Sequence, residues 1–141
     1  MKLVLDASMA LAWIFSRVKR EEAHCADRVL LGMKNAEVWV PSLWHTEIIN
    51  ALLQGERRRI VSEAQIIDYR NKLYHLPILT DDELPVNRSD EVMALAREHQ
   101  LTAYDATYLE LALRRGASLA TFDNQLIKAI HASGGALFTG Q

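Results

Sequence analysis

Apolar residues along this chain follow two periods, and the two alternate. Residues 2–6 (KLVLD) form a short apolar run, partly β-branched and stopped by an acid, which predicts a buried strand. Residues 8–15 predict a helix. Over 21–34, Ala26, Val29, Leu30 and Met33 recur at i, i+3, i+4 and i+7, which predicts an amphipathic helix. Residues 37–41 (EVWVP) predict a strand closed by proline. A helix is expected over about 43–54, with Gly55 as its stop. Ser62 and Gln65 have capping-box spacing and open a helix to about residue 74. Residues 75–79 are expected as a short strand whose Pro77 suits an edge, and 81–87 (DDELPVN) as a solvated linker. Ser89 is placed to cap a helix over 90–99. Further on, 102–104 (TAY) are expected to be extended and 106–115 helical up to Gly116. A strand is expected at 117–122 (ASLATF), a helix at 124–132, a Gly134-Gly135 turn, and a last strand at 136–139 (ALFT).

Strands alternating with helices imply an α/β domain whose mainly parallel sheet is covered by helices on both faces. The whole of 1–141 fits one domain, and a hydrophobic content of 50% is enough to bury a core. One cysteine, Cys25, excludes an internal disulfide framework and fits a reducing cytoplasm, where the chain is expected to act. The apolar stretch 3–15 is interrupted by Asp6 and lacks a cleavage pattern. No apolar run approaches the ~20 residues of a membrane span, so a soluble, unprocessed chain without membrane contact is expected.

The informative acids are defined by position. In an open parallel sheet, ligands bind beyond the carboxyl ends of the strands. Asp6 ends the first strand, Asp123 follows ASLATF almost at once, and Asp105 follows TAY at a helix start. Glu47 lies inside its helix, beside apolar Trp44 and Ala51, where a carboxylate is costly without a partner. Taken singly, each aspartate is an ordinary helix cap, and Glu47 could meet an arginine. Together, all four can reach one sheet edge. Carboxylates crowded within ~4–6 Å cannot all stay ionised cheaply, and a divalent cation removes the repulsion. Oxygen-only ligands select Mg²⁺ or Mn²⁺ over zinc, and Mg²⁺ uses substrate phosphate as a further ligand.

Charge adds little against this. With 16 basic and 18 acidic residues the net charge is −2, which argues against coating nucleic acid by charge alone. The arginines are bunched, however, at Arg57-Arg58-Arg59 and Arg114-Arg115. Such runs are ordinarily solvated faces, with phosphate holding as the functional alternative. The histidines show no metal-binding spacing, and no phosphate-binding glycine loop or nucleophile elbow occurs.

Four blocks, LDASMALAWIF, VPSLWHTEIINALL, TAYDATYLELALRRG and LATFDNQLIKAI, resemble the motif blocks of PIN domains. The likeness is greatest to VapC-like toxins of bacterial and archaeal toxin–antitoxin pairs. The blocks fall in the family's order over nearly the whole chain, although 61–88 matches little that is diagnostic. The resemblance implies a parallel five-stranded sheet with helices on both sides, Mg²⁺ or Mn²⁺ dependence and endonuclease cleavage of RNA. It also implies homodimers and inhibition by a small antitoxin protein. Asp6, Glu47, Asp105 and Asp123 carry over as metal ligands, with Ser8 and Thr121 as polar neighbours of the first and last acids.

The expected activity is thus metal-assisted hydrolysis of RNA phosphodiesters, with Arg57, Arg58 and Arg59 steering the RNA. Two alternatives stand beside it. One is a Mg²⁺-dependent phosphatase, which would ordinarily carry a DxD pair where this chain has Asp6-Ala7-Ser8. The other is a non-catalytic PIN-fold module that binds RNA or protein.

Overall fold

Leu3, Val4 and Leu5 are fully excluded from solvent, because the strand that carries them has neighbours on both sides and cover on both faces. In the computed structural model, which describes residues 1–17 and 19–140, this strand is β1 (Lys2–Leu5). It is followed by α1 (Ala7–Leu11), α2 (Arg20–Gly32), β2 (Glu37–Val40), α3 (Leu43–Arg57), α4 (Glu63–Tyr74) and β3 (Ile78–Thr80). Then come α5 (Ser89–His99), α6 (Ala103–Arg115), β4 (Ser118–Ala120) and α7 (Asn124–Ala132). Short 3₁₀ turns at Met33–Asn35 and Pro85–Arg88 lead into β2 and α5.

The strands form one sheet in the order β3-β2-β1-β4, parallel throughout, with Val4 opposite Trp39 on one side and Leu119 on the other. The chain therefore walks from β1 outward to β3 and then returns to the far side of β1. Right-handed crossovers, the near-universal hand, put the helices of the first two connections on one face and those of the third on the other. Accordingly α1 packs on α3, and α6 packs on α5, β1 and β4. The reversal of direction falls between β1 and β4, which is where such sheets open a crevice at their carboxyl edge.

The parallel sheet flanked by helices agrees with the sequence reading, but among the described residues it has four strands rather than five. Residues 136–139 pair with β4 only through a single bridge, Leu119 with Leu137, held by Leu119 N–H to Ala136 O and Phe138 N–H to Leu119 O. Gly140 then turns the backbone into the left-handed region, φ +84°, where a Cβ would run into the backbone of Arg28. The extended stretch expected at 102–104 is also absent. Thr102 is the N-cap of α6 and accepts the Asp105 N–H at 3.1 Å, so Ala103 and Tyr104 are already in its first turn.

Three local expectations change as well. Gly55 does not stop α3. It is buried inside the helix, where a Cβ would strike the Phe15 ring, and the chain turns instead at Arg59, φ +59°. Ser89 is the first residue of α5 and makes no cap bond; its hydroxyl donates to Pro85 O. Asp81 is not a solvated linker residue. It is buried at the end of β3 and paired with Arg114 (2.7 Å) and Arg115 (2.8 Å), while Arg114 and Arg88 both reach the buried Glu110 at 2.9 Å. The capping box at Ser62 and Gln65 and the left-handed stop at Gly116 form as expected.

Candidate metal centre

Asp6 belongs to both the sheet and the helix that leaves it. Its N–H donates to Ala120 O of β4 at 3.0 Å, and its C=O accepts from Met9 as α1 begins. The side chain, 6% exposed, makes no cap bond to α1. Its Oδ2 instead accepts Thr121 Oγ1 at 2.6 Å and Ser8 Oγ at 2.7 Å. Both hydroxyls are in turn fed by backbone donors: Phe122 N–H to Ser8 Oγ at 3.1 Å, and Asp123 N–H to Thr121 Oγ1 at 3.0 Å. The turn after β4 thereby holds one oxygen of Asp6, and neither hydroxyl takes Oδ1.

The other acids arrive from separate helices. Asp105 lies in the first turn of α6, where its N–H donates to the capping Thr102 hydroxyl. Asp123 is the N-cap of α7 and accepts Leu126 N–H through Oδ1 at 2.9 Å. Glu47 projects from α3 and accepts the hydroxyl of Tyr108 at 2.5 Å. Asp6, Ser8, Glu47, Asn50, Asp105 and Asp123 line one cavity of about 340 Å³ at the carboxyl edge of β1 and β4. Among the described residues, none of these four acids is in an ion pair.

The acids feel one another. Burial pushes Asp6 up from the usual carboxylate value, the two hydroxyls pull it down, and the Asp123 charge adds to the rise. Burial also raises Glu47, opposed by the Tyr108 hydroxyl and reinforced by the charges of Asp6 and Asp105. Asp105 is pushed up to about 6 by burial and then by Asp123 and Asp6. Mutual repulsion of this kind is what a divalent cation relieves.

The chemistry of the donor set fits a hard cation. Among the described residues, no three His, Cys, Asp or Glu side chains already close on one point as direct ligation requires. The cavity nevertheless offers only oxygen donors from its acids, with room for an ion that retains several waters, as Mg²⁺ does.

The PIN domain family profile matches residues 3–131. The chain belongs to the PIN-domain family. Ribonuclease VapC3 of Pyrobaculum aerophilum is similar to it at 33% identity over 130 residues, covering 89% of this chain and 92% of the relative. The crystal structure of PAE2754, also from Pyrobaculum aerophilum, superposes with a TM-score of 0.66 at 28% identity, covering 92% of this chain and 79% of that one. FitAcB from Neisseria gonorrhoeae shares the fold at 14% identity, with a TM-score of 0.63 over 98% of this chain and 97% of its own.

On this PIN fold the arginine run falls elsewhere. Arg57 is ten residues beyond Glu47, about 15 Å along a helix axis. Arg57, Arg58 and Arg59 are exposed at the far end of α3 and do not line the acid cavity. Arg58 borders a neighbouring cavity of about 560 Å³ with Phe15 and Gln54, and the two cavities share Ala51. Arg114 and Arg115 are occupied by Asp81 and Glu110. Sequence reasoning missed Asn50 and Tyr108. Each sits three residues after an expected ligand, Glu47 and Asp105, so the shared helix face was the available signal. No helix among the described residues is long and apolar enough to cross a membrane.

Proposed function

We propose that this PIN-domain protein is a divalent-metal-dependent endoribonuclease and the toxin of a toxin–antitoxin pair. The observation that carries the reading is the joint placement of Asp6, Glu47, Asp105 and Asp123, from four different elements, around one cavity at the switch point of the sheet. The likeness to Ribonuclease VapC3 over most of both chains supports RNA as the substrate.

Asp6, Glu47, Asp105 and Asp123 would hold Mg²⁺ or Mn²⁺, directly or through water. Bound there, the ion supplies positive charge that acidifies water and offsets charge gathering on the phosphate oxygens. The protein's own part is placement. Ser8 and Thr121 hold one oxygen of Asp6, and the capped first turn of α6 carries Asp105 to the same cavity. The four acids also repel RNA phosphate until their charge is neutralised, so substrate and cation are expected to bind together. Arg57, Arg58 and Arg59, exposed beside the neighbouring cavity that Arg58 borders, would meet the RNA backbone away from the scissile bond.

For the partners, we read a homodimer and a small antitoxin. Exposed Ile49 and Leu53 on α3 and exposed Ile67 and Tyr74 on α4 support protein contacts on this side of the molecule. The phosphatase alternative is weakened by Ser8, which donates to Asp6 where such enzymes would supply a second carboxylate.

The test is cleavage of total RNA and of defined oligonucleotides by wild type and Asp105→Asn, with Mn²⁺ and with chelator. Cutting by wild type in Mn²⁺ alone is expected. Equal cutting in every arm means a contaminating nuclease, and RNA binding without cutting favours the non-catalytic module.

A further inference from the structure

We propose that Tyr108 is a positioning residue: from α6, its hydroxyl holds one carboxylate oxygen of Glu47 on α3, presenting the other to the acid cavity. This rests on the reading of that cavity as a divalent-cation site.

Tyr108 is fully buried, and its ring is part of the core beneath the site. Phenylalanine would fill the same space with no polar atom to desolvate. The hydroxyl therefore needs a partner, and it reaches across 61 positions of sequence to Glu47 Oε1 at 2.5 Å. That partner is only half-buried and could hydrogen-bond to water instead. The bond thus gives the core little that phenylalanine would not, and its effect falls on Glu47. Glutamate is a long side chain with several rotors, and ordering it costs conformational entropy each time a ligand needs it in one place. Held in advance, Glu47 keeps Oε2 out of that bond, so a cation bound in the cavity would meet a donor already ordered.

The arrangement also couples two acids through one helix. Asp105 and Tyr108 are three residues apart and share a face of α6. Glu110 and Arg114, further along the same helix, tie it to Arg88 and Asp81. The anchored helix thereby sets Asp105 directly and Glu47 through the tyrosine.

The experiment measures Mn²⁺ binding to metal-free protein by calorimetry, with melting temperature alongside, for wild type, Tyr108→Phe, Glu47→Gln and the double variant. Tyr108→Phe is expected to weaken Mn²⁺ about tenfold, as loss of a ligand's hydrogen-bond support does, while the fold melts near the wild-type temperature. In the Glu47→Gln background the same change should cost nothing further, because the tyrosine acts through that carboxylate. Cleavage by Tyr108→Phe should fall at limiting Mn²⁺ and recover at saturation. Wild-type affinity in Tyr108→Phe, or losses that simply add in the double variant, overturn the proposal and leave the cation site standing. Wild type that binds no Mn²⁺ removes the cation site, and the positioning role with it. Should Tyr108→Phe melt too low to assay, wild type carrying ¹³C at the tyrosine ζ carbons serves instead. Mg²⁺ should move the Tyr108 signal with the half-saturation that calorimetry gives for Mg²⁺ on the same protein, and a signal that stays put overturns the role.

Discussion

Arg114 Nη2 donates to Asp81 Oδ2 at 2.7 Å, fastening the last turn of α6 to the end of β3. Burial alone would raise the Asp81 carboxyl, but hydrogen bonds from Arg114 and Arg115 outweigh it and hold the group below its usual range. The same contacts push Arg114 up.

A carboxyl lowered on folding stabilises the protein above its unfolded pKa of ~3.9, and that stability is lost as pH falls through the lower folded value. Asp81→Asn should therefore cost about 3 kcal/mol at pH 7, the low end for breaking a buried pair, since both arginines are partly exposed. Urea denaturation at pH 7 and again near pH 3 checks this. The gap between wild type and variant should shrink at the acid end.

Thr121→Val keeps the shape of a buried side chain and deletes the hydroxyl that Asp6 and the Asp123 N–H share. A buried carboxylate and a part-buried N–H are left short of a partner, so a loss of about 1–3 kcal/mol is expected. Thr121→Ser should recover most of it. Chemical denaturation of the three proteins in chelator reads the difference, and equal stabilities would remove the hydroxyl from the account.

Asp105 is pushed up to about 6, the opposite direction from Asp81. The metal-free folded state binds a proton there that the unfolded chain does not, so this group favours folding as pH drops from above 6 towards 4. Asp105→Asn is expected to melt a few degrees higher than wild type at pH 7.5 in chelator, with the gain fading towards pH 4. Mg²⁺ should then raise the melting temperature of wild type and leave the variant nearly unmoved. Scanning fluorimetry across pH, with and without Mg²⁺, decides it.

Arg57→Glu and Arg58→Glu together should weaken RNA binding. They should also flatten its dependence on salt, by a slope of ~0.7 for each single-strand phosphate that is no longer neutralised. Filter binding at several salt concentrations measures both. An unchanged slope assigns these exposed arginines to solvent.

Much of the candidate site was legible because its aspartates stand at boundaries. A strand followed at once by Asp6, and another followed by Asp123, place both acids at one edge once the sheet is parallel. Glu47 was visible as a charge on an apolar helix face. The partner that makes it tolerable was not, since Tyr108 sits in a run, ATYLELAL, that reads as plain core. The arginine pair Arg114-Arg115 likewise reads as a solvated helix end until β3 brings Asp81 against it. The difference at 102–104 is local. Threonine three residues before Asp105 is a cap signal, and capping outweighs the β-propensity of a three-residue segment. The strand expected at 136–139 needs a neighbour to pair with along its length, and β4 is only three residues long, so a single bridge forms there.

The sheet places its last strand in sequence beside its first. During synthesis, Asp6 therefore emerges from the ribosome long before the edge that completes its surroundings exists. A nascent chain halted anywhere upstream of β4 lacks Thr121 and Asp123 altogether, so Asp6 has neither its hydroxyl partner from that turn nor the far wall of its cavity until β4 and the turn after it have been made.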